Sequence, residues 1–195
     1  MTDINVKDGK EIMDSNETSI EHKGLILPGL KAHLLFWLFT IAGLAFDLWT
    51  KKAVFEWLEN RHSYTVIDGF VQLVRATNDG AAFGLFPGKI FLLTIVPIVA
   101  LIASVAFFLF SGPQPRKVYV ALGFVAAGAC GNLYDRIFNG GLVRDFIDVY
   151  YRGYHWPTFN VADSLLCIGV AILMLPLIWG VFIRKPAQRH AQQQK

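Results

Sequence analysis

The chain has 195 residues, enough for one domain, and 54% of them are hydrophobic against only 17% charged. With a mean hydropathy of +0.43, it is too apolar for an ordinary soluble domain, in which about a quarter of residues carry charge. The net charge of +3 is mild, and no basic run interleaved with aromatics points to nucleic acid.

Residues 1–24, "MTDINVKDGKEIMDSNETSIEHKG", mix acids and bases. They read as a disordered leader rather than a signal peptide, because the first apolar run starts late and no small-residue cleavage site follows it. Residues 25–183 hold four apolar stretches, at about 30–48, 90–110, 118–135 and 161–183. A helix crossing ~30 Å of hydrocarbon needs about 20 mainly apolar residues. The second and fourth stretches meet that length, the third is slightly short, and the first reaches it if Lys31 snorkels. Residues 184–195 form a basic tail.

Between the first two stretches lies "SYTVIDGFVQLVRATN", residues 63–78, β-branched and aromatic and broken by Asp68–Gly69. It predicts a hairpin or small sheet. "DGAAFGLFPG", residues 79–88, follows with small residues that allow close backbone approach. Cys130 and Cys167 fall inside predicted helices as small buried thiols. The histidines are scattered and form no metal-ligand motif.

Four spans put both termini on one side. Lys23, Lys31, Arg116, Lys117, Arg184, Lys185 and Arg189 flank that side, which argues for cytoplasmic termini. The opposite side also carries bases, among them Lys51, Lys52, Arg75, Arg136 and Arg144, so the charge bias is modest. The acids say more. Alternation brings Asp47, Asp135 and Asp163, each at a predicted span end, to the opposite face, where Asp145 and Asp148 lie in the last loop. Polar residues gathered at one membrane edge mark a functional site by default.

Each acid also has a plainer reading. Asn160 can cap the last helix with Asp163 at N3, as in a capping box. Asp47 can pair with Lys51 at i,i+4, while sitting near a helix C-terminus that disfavours a carboxylate. Asp135 can hold its helix end through Arg136 and Asn132. Asp145 can be an interfacial loop acid, but Leu142, Val143, Phe146 and Ile147 bracket it, and such burial raises a carboxyl pKa. Asp148, three residues on, need not face the same way. Two carboxylates held close can share a proton, activate a water and protonate a departing amine. A proton-coupled transporter would place acids deeper in the spans. A non-catalytic assembly factor would only need small residues to pack helices.

In five blocks the chain resembles the lipoprotein signal peptidase (signal peptidase II) family. The blocks are "DLWTKK" with Asp47 and Lys51, "NDGAAFG" with Asn78 and Gly80, "GACGNLYDR" with Asn132, Asp135 and Arg136, "VRDFIDV" with Asp145, and "FNVAD" with Asn160, Ala162 and Asp163. The resemblance implies an all-α membrane protein of four transmembrane helices with a small extracytoplasmic β-cradle. It implies a monomeric aspartyl endopeptidase of the bacterial inner membrane, acting within membrane lipid on a diacylglyceryl-modified prolipoprotein just before its lipidated cysteine. It implies Asp145 and Asp163 as the catalytic pair, and no metal or cofactor. Asn78, Gly80, Asn132, Asp135, Arg136, Asn160 and Ala162 would shape or support the substrate site, with Asp47 and Lys51 structural. Arg144 stands where the family commonly has an apolar residue, and is expected to reach the headgroups or perturb the neighbouring acid.

Overall fold

The structure, a computed structural model, describes residues 27–79 and 90–192, with side chains over 27–79 and 94–179. The leader, Gly80 with the rest of its small-residue loop, and the side chains of the basic tail lie outside the described residues. The chain order is α1 (Leu30–Trp57), β1 (Ser63–Ile67), β2 (Val71–Asn78), α2 (Ile90–Phe110), α3 (Arg116–Phe138), β3 (Val143–Tyr151), β4 (Tyr154–His155) and α4 (Val161–Gln192).

Three helical stretches, Leu30–Trp57, Arg116–Phe138 and Val161–Trp179, are long and apolar enough to cross a membrane. In α2 the apolar stretch with described side chains is shorter, Thr94–Phe110, and contains Pro97. Large apolar side chains such as Leu34, Leu38, Val99, Ile102, Leu175 and Leu177 are exposed along α1, α2 and α4. A surface of that kind suits lipid rather than water.

The helix at the centre is α3, which packs against α1, α2 and α4. Of its apolar window 67% is buried, against 22% for α1 and 11% for α4. Small residues permit this. A side chain at Gly128 would run into the backbone carbonyl of Ala162, and one at Gly131 into the Asp47 carboxylate. At the other end of the bundle from the acids, Phe36 stacks on Phe108 at 4.3 Å, with Tyr119 edge-on to Phe108.

Helix α1 continues to Trp57, beyond the expected end near residue 48. "KKAVFEW" favours helix, and Leu58 is fully buried just past its end. Asp47 therefore sits inside the helix and not at its unfavourable C-terminus. Helix α4 likewise runs on to Gln192, into the stretch expected as a tail.

The hairpin expected over 63–78 is present. Asp68–Gly69 turn between β1 and β2, with Gly69 at φ +72°. The four strands pair antiparallel in the order β1-β2-β3-β4. A bulge between Leu73 and Ala76 resets the β2–β3 register so that Ala76 faces Asp145 and Asn78 faces Val143. The segment after β4 then returns to β3. Phe159 exchanges backbone bonds with Ile147 at 2.9 and 3.0 Å. That bridge delivers the first turn of α4 beside Asp145.

Candidate active site

Asp145 lies on β3 and is 2% exposed. Asn78 Nδ2 donates to its Oδ2 at 3.0 Å, and Asn160 Nδ2 donates to its Oδ1 at 2.7 Å. Burial, and secondarily the Asp163 charge, push its carboxyl up to about 7 against the opposing pull of those two amides and Lys51. At neutral pH it is therefore poised between acid and base.

Asp163 occupies the first turn of α4. Its backbone N–H donates to Asn160 Oδ1 at 3.0 Å, while Asn160 N–H donates to Asp163 Oδ2 at 3.2 Å. This is the reciprocal cap that the spacing predicts. The other Asp163 oxygen accepts a 2.7 Å bond from Asn132 Nδ2. Asn132 Oδ1 in turn accepts from Asn160 Nδ2 at 3.1 Å and from Lys51 Nζ at 3.2 Å. Two side-chain amides thus connect both carboxylates, and each amide orientation is fixed by what it must donate and accept.

Beneath this frame sits a buried ionic layer. Lys51 and Asp47, both fully buried, pair at 2.8 Å, and Lys51 also lies 3.4 Å from Asp135. Asp47 Oδ1 accepts the Ala162 N–H at 2.8 Å and so ties α1 to the start of α4. Asp135 receives three N–H groups from Arg144: the backbone at 2.9 Å, Nε at 3.1 Å and Nη2 at 2.6 Å. The sequence points the guanidinium at the headgroups or at Asp145; it binds the buried Asp135 carboxylate instead.

A cavity of about 320 Å³ opens over the carboxylates. Asn78, Asn132, Arg136, Asp145 and Asp163 border it, so five expected site residues converge there. Asn160 and Ala162 are fully buried behind it, as is Asp135. Gly80 is outside the described residues. Arg136 Nη1 reaches the Asn132 carbonyl at 3.5 Å, and the rest of that side chain borders the cavity. Asp148 faces away and binds Gln72 Nε2 at 2.6 Å and His155 Nδ1 at 2.8 Å.

Much of the remaining wall was not legible in the motifs. Trp156, Pro157, Thr158 and Phe159 form it, with Val143, Ser164 and Cys167. Of these, Phe159 and Val143 lie in the quoted blocks, and Cys167, expected as a small buried thiol, is exposed one turn beyond Asp163 at i+4.

A buried Asp145 and a half-buried Asp163, linked through two side-chain amides beside an open cavity at the end of an apolar helical bundle, are the constellation that a membrane hydrolase of the aspartyl type requires. The family model described as signal peptidase (SPase) II matches residues 39–179. Curated relatives named lipoprotein signal peptidase include those of Halalkalibacterium halodurans, 36% identical over 74% of this chain and 92% of the relative, and Clostridium novyi, 37% identical over 72% and 95%. That of Aquifex aeolicus is 41% identical over 62% of this chain and 71% of the relative. Two solved bacterial membrane enzymes superpose with TM-scores of 0.65 and 0.63, at 34% and 37% identity, covering 75% and 72% of this chain and 89% and 90% of theirs. The chain belongs to the signal peptidase II family.

Proposed function

We propose that the protein removes the signal peptide from diacylglyceryl-modified prolipoproteins by cutting just before the lipidated cysteine. The observation that carries this reading is the convergence of Asp145 and Asp163 on one cavity through the shared Asn132–Asn160 frame. Asp145, near neutrality, carries the proton, and Asp163 is the base. Asp163 takes a proton from water as the water oxygen attacks the scissile carbonyl carbon, and Asp145 protonates the carbonyl oxygen. When the tetrahedral diol collapses, the C–N bond breaks, Asp163 returns its proton to the departing nitrogen, and Asp145 recovers its own from the diol. Asn78, Asn132 and Asn160 hold the two carboxyls. Arg136 offers donors to substrate carbonyls, Gly80 contributes to the substrate site, and Ala162, Asp135, Asp47 and Lys51 support the frame from below.

The protein works as a monomer in a bacterial cytoplasmic membrane, with four spans including α2, both termini in the cytoplasm and the cavity at the extracytoplasmic edge. The uncharged length of α2, Ile90–Phe110, supports the fourth span. The lipid chains of the substrate lie among the bilayer-facing helices.

The test is cleavage of a diacylglyceryl-modified precursor by purified protein in detergent or lipid, beside the unmodified precursor and the Asp145→Asn and Asp163→Asn variants. Cleavage of the modified precursor only, abolished in both variants, is expected. No cleavage by wild type would overturn the reading, and activity retained in either variant would overturn the pair.

A further inference from the structure

The ionic layer under the carboxylates has an uneven count. Lys51 is shared between two fully buried acids, Asp47 at 2.8 Å and Asp135 at 3.4 Å. It also donates to Asn132 Oδ1 at 3.2 Å. One ammonium touches both carboxylates and the amide but neutralises only one of the two charges, and buried charge without a partner is strongly disfavoured. Arg144 supplies the second cation. Its planar fork closes on Asp135 Oδ1 through Nε at 3.1 Å and Nη2 at 2.6 Å, while its own backbone N–H reaches Asp135 Oδ2 at 2.9 Å. The residue next along β3 is Asp145, and the Arg144 carbonyl lies 3.4 Å from Asn160 Nδ2.

We infer that Arg144 is a positioning residue for the carboxylate pair: by satisfying Asp135 it leaves Lys51 to Asp47 and Asn132, and it pins the start of β3 to the end of α3. This inference rests on the aspartyl peptidase reading above. The path is continuous. The fork holds Asp135, and Lys51 is then free to hold Asn132 with its amide turned toward Asp163. Asn160, bonded to the same Asn132 oxygen, presents its other hydrogen to Asp145. Arg144 does not border the catalytic cavity. Its 21% exposed side chain instead borders a separate notch of about 180 Å³ with Lys52, Glu56, Glu59 and Arg75. The charged groups that bear on Asp145 are Asp163, Lys51 and Arg136.

The experiment compares wild type with R144L and R144K on one diacylglyceryl-modified precursor peptide, reading kcat, KM and the pH profile of kcat. Wild-type cleavage in the same assay separates a failure of this inference from a failure of the peptidase reading. In R144L, kcat should fall about 10- to 100-fold with KM nearly unchanged. Its alkaline limb should move to higher pH, because the unbalanced Asp135 charge disfavours ionisation of Asp145. R144K keeps the charge and loses the fork, so its limb should stay in place while kcat falls less. An R144L enzyme with kcat within about twofold of wild type and an unmoved limb would overturn the inference, as would a change confined to KM. If R144L cannot be isolated folded, R144K decides: wild-type kcat overturns the fork's role, and a lowered kcat at constant KM upholds it.

Discussion

The raised pKa of Asp145 has a thermodynamic consequence that can be measured without substrate. Its carboxyl titrates at an ordinary 3.8 when unfolded and at about 7 in the fold. The folded state therefore holds the proton more tightly, so the group contributes stability below pH 3.8. That contribution is lost as pH rises through about 7. A separation of about three pH units, at about 1.4 kcal/mol each, sets a ceiling near ~4 kcal/mol. For a chain of this size 1 kcal/mol moves a melting midpoint by about 2–4 °C.

Asp145→Asn removes the ionisation and keeps the shape. The Asn78–Asp145 bond at 3.0 Å is put at risk, since an amide NH2 would face Asn78 Nδ2, which costs about 1 kcal/mol. The variant should therefore melt close to wild type at pH 5, where the part of the contribution that wild type has already lost above pH 3.8 and the cost of the disrupted bond nearly cancel. It should melt above wild type at pH 8.5, while being inactive throughout. The assay is thermal unfolding of the detergent-solubilised protein between pH 5 and 8.5, followed by intrinsic tryptophan fluorescence. Parallel pH curves for the two proteins would refute the assignment of a buried, proton-retaining Asp145.

Three further outcomes follow from the same geometry. Asn160→Ala deletes the α4 cap and the 2.7 Å bond to Asp145. It should lower kcat by about 100-fold and move the alkaline limb of the pH profile upward, since that bond favours the ionised carboxyl. Lys51→Met leaves Asp47 without its buried partner, so destabilisation of about 3–5 kcal/mol is expected in the same unfolding assay. Gly128→Val drives a branched side chain into the Ala162 carbonyl and Leu166; separation of α3 from α4 should appear as loss of monodisperse protein on size exclusion, with Gly29→Ala, which meets open space, as the control.

Much of the fold is written locally. Uncharged runs mark the helices, Asp68–Gly69 marks a hairpin, and Asn160 with Asp163 marks a helix start. What escaped depends on partners distant in sequence. "VRDFIDVYY" is buried along much of its length on both faces, so it lacks the alternation that betrays a strand with one wet side. Its partner β2 is also far away in the chain. The end of α1 is hidden for a related reason. Lys51 looks like a charge that closes a span, yet it is fully buried between acids from two helices. Arg144 is the same case in reverse, since no spacing rule links it to Asp135 across the turn at Gly140 and Gly141.

These long-range links also explain why Asp163 meets Asp145 and not Asp148. Along β3 side chains alternate, so residues three apart point to opposite faces of the sheet. The Ile147–Phe159 bridge brings α4 to the face that Asp145 occupies, and Asp148 is left to Gln72 and His155 on the other. A slip of one residue in that bridge would turn Asp145 away and present Arg144 to the cavity instead. The register is held from both sides. Asn160 binds Asp145 directly, and Asp135 grips Arg144 by its backbone and its fork. The alternation that makes one strand residue a candidate catalyst makes its neighbour the anchor that keeps it in place.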